Sequence, residues 1–469
     1  MKTRLIAFAA ACLAAGCANL APSYVQPGAP IPDGWKANSV PVAGAVPTPA
    51  PDLAYKDFFV DDRLRQVVQL ALVNNRDLRV AALNIERARA QYDIQRASLL
   101  PAINATGSAS RTRTPKDLTA NGRSTTLNAY NATVGVASYE LDFFGRISNL
   151  NDAALLAYFS LDETRRSVQI ILLSDVSNAW LALAADQRRL RLAQETLRSQ
   201  QASYDLTVKA RDIGNESGLT VAQARTTVDA ARSDVAAYTR AAAQDRNALT
   251  LLVGSTVPPN LLPAPDEGLK PVTALVDVPA GLPSTLLQGR PDVLAAERTL
   301  QAANANIGAA RAAFFPRITL TGSAGGGSRE LGNLFDNGNG AWTFAPQIVL
   351  PIFSGGALRA SLDVARISRD INVAQYEKSV QTAFREVSDA LDARATLGEQ
   401  LDAQRSLRDA SATAYQLSQA RYRTGVDSYL DTLVTQRAFY AAGQTLITLE
   451  LAEQANRLQL YRTMGGGWQ

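Results

Sequence analysis

From Arg146 to Asp212 the chain contains neither proline nor glycine, and apolar or small residues recur on a heptad. Ile147, Leu150, Ala154, Ala157, Leu161, Val168 and Ile171 hold that register, with Thr164 in the remaining position. The spacing predicts one helix across the run, about 100 Å long at ~1.5 Å per residue. A second run from Leu358 to Thr424, interrupted only by Gly398, has the same texture. Each run meets a glycine, Gly214 or Gly425, and is followed by a further helical stretch, Ser217 to Val253 or Ser428 to Thr463. The pattern therefore predicts two very long helical hairpins, far beyond ordinary helices of ~10–14 residues. Abundant alanine lets neighbouring helices approach closely, while Arg, Asp and Gln keep other faces wet. Taken alone, these runs fit a plain antiparallel coiled coil equally well.

Upstream of each hairpin the texture changes to small, polar and β-branched residues. Residues 102–113 and 127–143 read as strands, separated by a polar loop from Thr114 to Thr126 that carries Pro115 and Asn121-Gly122. In the second half, residues 317–323 and 342–353 read as strands, and Gly325 to Gly340 as a flexible Gly/Asn-rich loop. Along the fourth strand Trp342, Phe344, Ile348, Leu350 and Ile352 share one face. Alternation of this kind is a weak signal per strand, and a soluble β-hairpin shows it too. A helix pair, Asp62 to Leu99 with a break at Asn74-Asn75, precedes the first strand and ends before Pro101.

The chain repeats itself. Residues Asp77 to Ala109 align without a gap on Asp292 to Ala324, with Arg96 on Arg311, Pro101 on Pro316 and Gly107 on Gly322. The match continues more loosely through Phe144 on Phe353, Gly214 on Gly425 and Gly254 on Gly465. A period of about 210 residues is too long for a solenoid unit, where periods run at roughly 20–50. It marks a duplicated half-protein, each half ordered as short helix, strand hairpin and long helical hairpin. Two such halves suggest pseudo-symmetry around an axis, the geometry of a tube. The segments expected are a first repeat at 62–254, a proline-rich linker at 255–283 and a second repeat at 284–469. The linker holds Pro258, Pro259, Pro263, Pro265, Pro271, Pro279 and Pro283.

Residues 1–16 read as a signal peptide, with Lys2 and Arg4 ahead of the short apolar run Leu5 to Ala15. Leu13-Ala14-Ala15-Gly16-Cys17 looks like a lipobox, so that Cys17 becomes the acylated first residue. An ordinary signal that leaves Cys17 free is the alternative. Residues 17–61, rich in Pro, Gly and Ala, read as an extended tether or equatorial segment. Cys12 leaves with the signal, so a single mature chain has no internal disulfide. Acyl chains anchor a protein to a membrane without making it span one.

The sequence contains no histidine, which removes Ser-His-Asp and Cys-His nucleophiles and His-based metal sites. Gly325-Gly326-Gly327 lacks the lysine and following helix of a phosphate loop. The net charge of +4 is spread along the chain and gives no case for nucleic acid. No apolar run beyond residue 16 is read as long enough for a spanning helix, so a membrane crossing requires a closed β-barrel. Four strands cannot close one alone, since the smallest single-chain barrels have ~8.

Several segments, in their order and spacing, resemble the TolC-like outer membrane factors of Gram-negative bacteria, and specifically the OprM-like/NodT-type lipoprotein branch. They are the lipobox at Cys17, Glu140-Leu141-Asp142-Phe143-Phe144-Gly145-Arg146, Gln288-Gly289-Arg290-Pro291-Asp292-Val293 and Phe314-Phe315-Pro316. Arg421-Tyr422-Arg423-Thr424-Gly425-Val426-Asp427-Ser428-Tyr429-Leu430-Asp431 and the ending Gly465-Gly466-Gly467-Trp468 complete them. The resemblance covers essentially the whole mature chain.

It implies a mainly α-helical homotrimer in which each chain donates four strands to one 12-stranded outer-membrane β-barrel, the helices forming an α-barrel through the periplasm. The implied function is a passive exit duct for small molecules such as drugs, without catalysis and without a cofactor beyond lipid on Cys17. The implied partners are a periplasmic membrane-fusion adaptor, an inner-membrane pump of the resistance-nodulation-division (RND) type and outer-membrane lipid. Type I secretion, or a periplasmic coiled-coil scaffold that forms no channel, are the competing readings.

The glycine turns are the expected adaptor-docking tips: Gly214, Asn215, Glu216 and Ser217 in the first half, Gly425, Val426 and Ser428 in the second. Glycine permits the reversal, and Ser217 and Ser428 suit helix N-caps. Asp427 and Asp431 fit a helix N-terminus on dipole grounds alone. In a trimer they would recur as a carboxylate ring, which motivates a gate with Asp427 and Asp431 as acceptors, Arg421 and Arg423 as donors and Tyr422 as steric filler. The first-half turn carries Arg211, Asp212 and Glu216 instead, so the two hairpins are expected to differ in gating.

Overall fold

A computed structural model describes residues 19–35, 53–120, 122–264, 271–274 and 284–467. Cys17, Asn121, Trp468, residues 36–52 of the expected tether and most of residues 265–283 of the expected linker lie outside the described residues. The elements in chain order begin with α1 (Tyr55–Phe58), α2 (Asp62–Asn74), α3 (Arg76–Ala97), β1 (Ile103–Thr114) and β2 (Thr125–Leu141). Then come α4 (Arg146–Asp212), α5 (Gly218–Val253), α6 (Pro291–Ala312), β3 (Arg317–Ser328), β4 (Gly340–Val349), α7 (Ala357–Arg423) and α8 (Tyr429–Thr463). Among the described residues the fold is mainly helical with one antiparallel sheet. Both α4 and α7 are unbroken at 67 residues, and α7 runs straight through Gly398. The chain divides into two compact units.

The first unit holds the sheet, ordered β1-β2-β3-β4 and antiparallel throughout. Directly paired residues share a face of a pleated sheet, so the register sorts the side chains. One face carries Ile103, Ala105, Gly107 and Ala109, then Tyr130, Ala132, Val134, Val136, Tyr139 and Leu141. It continues with Ile318, Leu320, Gly322 and Ala324, and with Trp342, Phe344, Pro346 and Ile348. The other carries Asn104, Thr106, Ser108, Asn131, Thr133, Glu140, Thr319, Thr321, Ser323, Thr343 and Gln347. This face is apolar as far as Ala109 and Tyr130, with Arg111 and Arg113 following on it, and no described α-helix or strand covers it, Trp342 being 78% and Phe344 63% exposed. A bulge between Val136 and Tyr139 keeps the alternation in phase, with Ser138 at φ 57°.

Two expectations about these strands are corrected. The glycine run is no loop: β3 continues past Ser323 to Ser328 and pairs Gly325 with Thr133 and Gly326 with Ala132. A Cβ on Gly325 would sit 2.0 Å from the Ala132 carbonyl oxygen, so the strands approach too closely for any side chain. The fourth strand begins at Gly340 and ends at Val349, which leaves Leu350 and Ile352 beyond it.

Residues 19–28 form neither helix nor strand, and they are docked rather than free. Asn304 Nδ2 donates to the Pro22 carbonyl at 2.8 Å, Arg311 to that of Leu20 at 3.1 Å and the Tyr24 hydroxyl to Glu297 at 3.1 Å. Gly308 makes room for this strap, since a Cβ there would fall 2.8 Å from Ala21 Cα. Hydrogen bonding to α6 decided where this segment lies.

The second unit has its core where α2, α4, α5 and α8 meet. Phe58 stacks on Tyr461 with ring centroids 3.8 Å apart, and Trp180 Nε1 donates to the Leu261 carbonyl at 3.0 Å. Leu53, Phe58 and Phe59, from the expected tether, and Val257, Leu261 and Val272, from the expected linker, are all buried here. Trp35 stacks on Phe384 at 5.1 Å and donates to Ser388 Oγ at 3.0 Å. One 18-residue window of α4 is apolar enough to qualify as a span, with mean hydropathy 1.5, which corrects the expectation of none; 56% of it is buried inside the chain. The heptad register is also lost there: Ile171 is exposed, while Ile170, Leu172, Leu173 and Val176 are buried.

Among the described residues, Arg290 is the most enclosed cation of this unit's ion pairs. Its guanidinium forks onto Asp292 at 3.0 and 2.7 Å, reaches Glu386 at 3.0 Å and donates to the Thr463 carbonyl at 2.8 Å. It thereby fastens α6, α7 and the end of α8 together. Arg290→Ala would leave two carboxylates and a carbonyl facing a void. It should cost roughly 3 kcal/mol, the low end for breaking a buried pair, read as a lower denaturant midpoint that Arg290→Lys fails to restore.

Between α4 and α5, burial first and then Asp186 raise the Asp245 carboxyl from 3.8 to about 6. A carboxyl whose folded-state pKa is raised binds a proton that the unfolded chain releases, so stability falls as pH rises from about 4 through about 6. Unfolding midpoints across that range should drop in the parent chain and stay flatter in Asp245→Asn.

Candidate functional site

The two helical hairpins of the second unit turn by the same device. At the first tip the Asn215 amide donates to the Ala210 carbonyl at 2.8 Å and the Gly214 amide to Arg211 at 2.8 Å. At the second, the Val426 amide donates to Arg421 at 2.9 Å and the Gly425 amide to Tyr422 at 3.0 Å. These are paired Schellman closures, each needing a left-handed residue. Gly214 and Gly425 supply it, with φ 83° and 73°. A Cβ at either would meet nothing within 4 Å, so conformation rather than crowding demands glycine. Ser217 then caps α5 by accepting from the Thr220 amide at 3.1 Å. Ser428 caps α8 in a reciprocal capping box with Asp431.

The charged residues of the second tip are sorted by these bonds. Arg421 forks onto Asp427 within the chain, at 2.6 and 2.7 Å. The Arg421 hydrogen bond holds the Asp427 carboxyl below the usual carboxylate range, and the Arg421 guanidinium is raised in turn. Asp431 accepts from Ser428 Oγ at 2.7 Å. Arg423 is exposed and makes no ion pair among the described residues. The Tyr422 hydroxyl donates to Glu216 at 3.2 Å, which ties the second tip to the first. Tyr422 also packs against Tyr429, ring centroids 5.4 Å apart. At the first tip Arg211 pairs with adjacent Asp212 at 2.6 Å, so the two turns do differ in their ion pairs.

Sequence reasoning missed part of this arrangement. Ala224, Tyr429 and Leu433 form a small buried cluster with Tyr204 and Tyr422 against it. Burial pushes the Tyr429 hydroxyl up to about 12. Leu219 and Leu430, each the second residue after its capping serine, are both exposed, as are Ile213, Val426 and Val434. The internal alignment placing Ser217 on Ser428 would have picked out that leucine pair. Among the described residues no group of three or more His, Cys, Asp or Glu side chains converges.

Arg421→Ala should return the Asp427 pKa toward its ordinary value. A depressed carboxylate stabilises the fold above its unfolded pKa, and that contribution is lost as pH falls through the folded value. Carboxyl-carbon shifts of Asp427, titrated from pH 6 downward, should move at higher pH in the variant than in the parent.

Comparison with known proteins agrees with the duplicated architecture. The family model described as "Outer membrane efflux protein" matches residues 67–255 and 282–466. The chain is 48% identical over 477 residues to the toluene efflux pump outer membrane protein TtgC of Pseudomonas putida, covering 100% of this chain and 96% of that protein. A membrane protein from Pseudomonas aeruginosa, solved by crystallography, aligns with TM-score 0.88 at 42% identity over 95% of this chain and 100% of its own. The open-state outer membrane channel MtrE of Neisseria gonorrhoeae aligns with TM-score 0.86 at 37% identity over 96% of this chain and 99% of that one. Both halves of the fold are matched, and the chain belongs to the outer membrane efflux protein family.

Proposed function

We propose that three copies of this chain close into one duct: a 12-stranded β-barrel in the outer membrane, with the helices as an α-barrel in the periplasm. The carrying observation is the sheet, with one face apolar and uncovered, the other polar, and β1 and β4 both unpaired at its edges. Backbone groups in lipid must be satisfied by other backbone groups, and edge-to-edge closure does this. The apolar face then meets lipid and the polar face lines the lumen. Lipid on Cys17 anchors each copy, and the docked strap from Asn19 follows directly.

The duct is passive and requires neither a catalytic residue nor a cofactor. An RND-type inner-membrane pump supplies the energy, and a periplasmic adaptor docks at the tips. Gly214, Asn215, Glu216, Ser217, Gly425, Val426 and Ser428 shape these tips, and exposed Leu219 and Leu430 give them apolar contact area. Small molecules such as drugs or solvents are the exported class.

Asp427, Asp431, Arg421, Arg423 and Tyr422 form the periplasmic gate in this reading. Arg421 holds Asp427 within each copy, Tyr422 fastens the second tip to Glu216, and Arg423 remains to reach a neighbouring copy. Single-channel conductance in a planar bilayer tests both levels. The parent protein should give discrete, small openings, and Asp427→Ala with Asp431→Ala should enlarge them. Equal conductance would move the gate elsewhere; silence from folded, membrane-extracted protein in both forms would remove the duct.

A further inference from the structure

The strand ends that connect to helices, Ile103, Leu141, Arg317 and Val349, lie at one end of the sheet; β1 joins β2, and β3 joins β4, at the other. With the helices in the periplasm, the hairpin end faces outside. On β2 the apolar face runs from Tyr130 to Leu141. At ~3.3 Å per residue and a ~40° tilt this run stands roughly 27 Å tall, close to the ~25 Å apolar band of outer-membrane barrels. Tyr130 therefore sits at the outer interface, where tyrosine is favoured.

The chemistry of the face changes immediately above Tyr130. Arg111 pairs with Asn128 and Arg113 with Thr126, so four polar side chains follow the apolar run on the same side. Both arginines are exposed and make no ion pair among the described residues. They stand clear of the second hairpin, because β2 pairs with β3 only as far as Tyr130 with Ser328, and β4 starts at Gly340, opposite Gly326. From Ser110 to Asn128 the chain carries Arg111, Arg113, Lys116 and Arg123 against Asp117 alone. A cation on the lipid face of a barrel strand costs most at mid-depth and little near the interface. Depth thus tolerates these arginines, but it does not explain two on one face without an acid between them.

We propose that Arg111 and Arg113 form a docking surface for the phosphorylated headgroup of an outer-leaflet glycolipid. The inference rests on the duct reading, which turns this face to lipid. Guanidinium forks match phosphate oxygens in bidentate pairs. Two residues apart on a strand, the two forks rise ~7 Å one above the other, so they grip one phosphate from two heights or two phosphates separately. Asn128 and Thr126 beside them suit the hydroxyls of a sugar, and Tyr130 below suits the start of the acyl chains. Free phosphate offers the charge alone, so the lipid is the occupant that uses the whole face.

Native mass spectrometry of the full lipoprotein, extracted in mild detergent and titrated with diphosphorylated lipid A, tests this by reading copy number and bound lipid together. The parent should be trimeric, should bind lipid A, and should bind it far more weakly once both phosphates are removed. Equal binding of the two lipids overturns the proposal without any variant. Arg111→Gln with Arg113→Gln should weaken lipid A binding roughly thirtyfold, about fivefold for each arginine. Arg111→Thr with Thr112→Arg keeps the net charge but moves one guanidinium to the polar face, and should weaken binding about fivefold; it gives the same reading if the double variant fails to assemble. Excess inorganic phosphate should leave the lipid bound, and full displacement marks a plain anion site instead. Trimers that bind lipid A equally in parent and variants overturn the headgroup site and leave the duct. Monomers throughout, the parent included, remove the duct and the site with it.

Discussion

A strand in lipid has nowhere to send its backbone hydrogen bonds except to another strand. That constraint organises the proposed assembly. The four strands among the described residues leave two open edges, which the proposed closure would pair. The sequence divides labour across the sheet accordingly, with Trp342, Phe344, Ile348, Val134 and Ile103 on one face and Asn, Thr and Ser on the other. Close approach between β2 and β3 is bought with glycine at 135 and 325, where any Cβ would meet backbone.

In the second unit the problem is different, because long amphipathic helices must be held in one register without a large core. Specific polar clasps do part of this. Arg290 joins three helices through Asp292, Glu386 and the Thr463 carbonyl, Trp35 is fixed by stacking on Phe384 and a bond to Ser388, and Asn75 donates to the Leu252 carbonyl at 2.7 Å. Such bonds are directional, whereas alanine-rich surfaces slide easily. At the tips, where apolar packing shrinks to the cluster around Tyr429, Schellman closures and serine caps define the turns. The residues left uncovered there, Leu219, Leu430 and Arg423, are then available to other chains.

The helices were the most legible elements. Long periodic runs bounded by glycine leave little freedom, and α4 spans Arg146–Asp212 as read from its lack of breakers. The strands were legible in existence but not in extent: Gly325-Gly326-Gly327 looks like a loop by composition, and only pairing with Thr133, Ala132 and Asn131 makes it strand. The residues of the tips were also legible, since glycine and a capping serine carry local conformational signals. Their bonding was less so. Asp427 and Asp431 look alike four residues apart, yet one is gripped by Arg421 and the other closes a capping box.

Sequence by itself determined the periodicity, the duplication and the turn chemistry, because each depends on residues near one another in the chain or on comparison of the chain with itself. Tertiary structure alone decided which segments dock and which remain bare. Residues 19–28 have the composition of a free tether and become a strap on α6, while Leu53, Phe58 and Phe59 enter a core with Tyr461. In α4 the heptad predicts Ile171 inside, and the surrounding helices bury Leu172 and Leu173 instead. Contacts between residues hundreds of positions apart set these outcomes, and local pattern carries no information about which distant surface will be within reach.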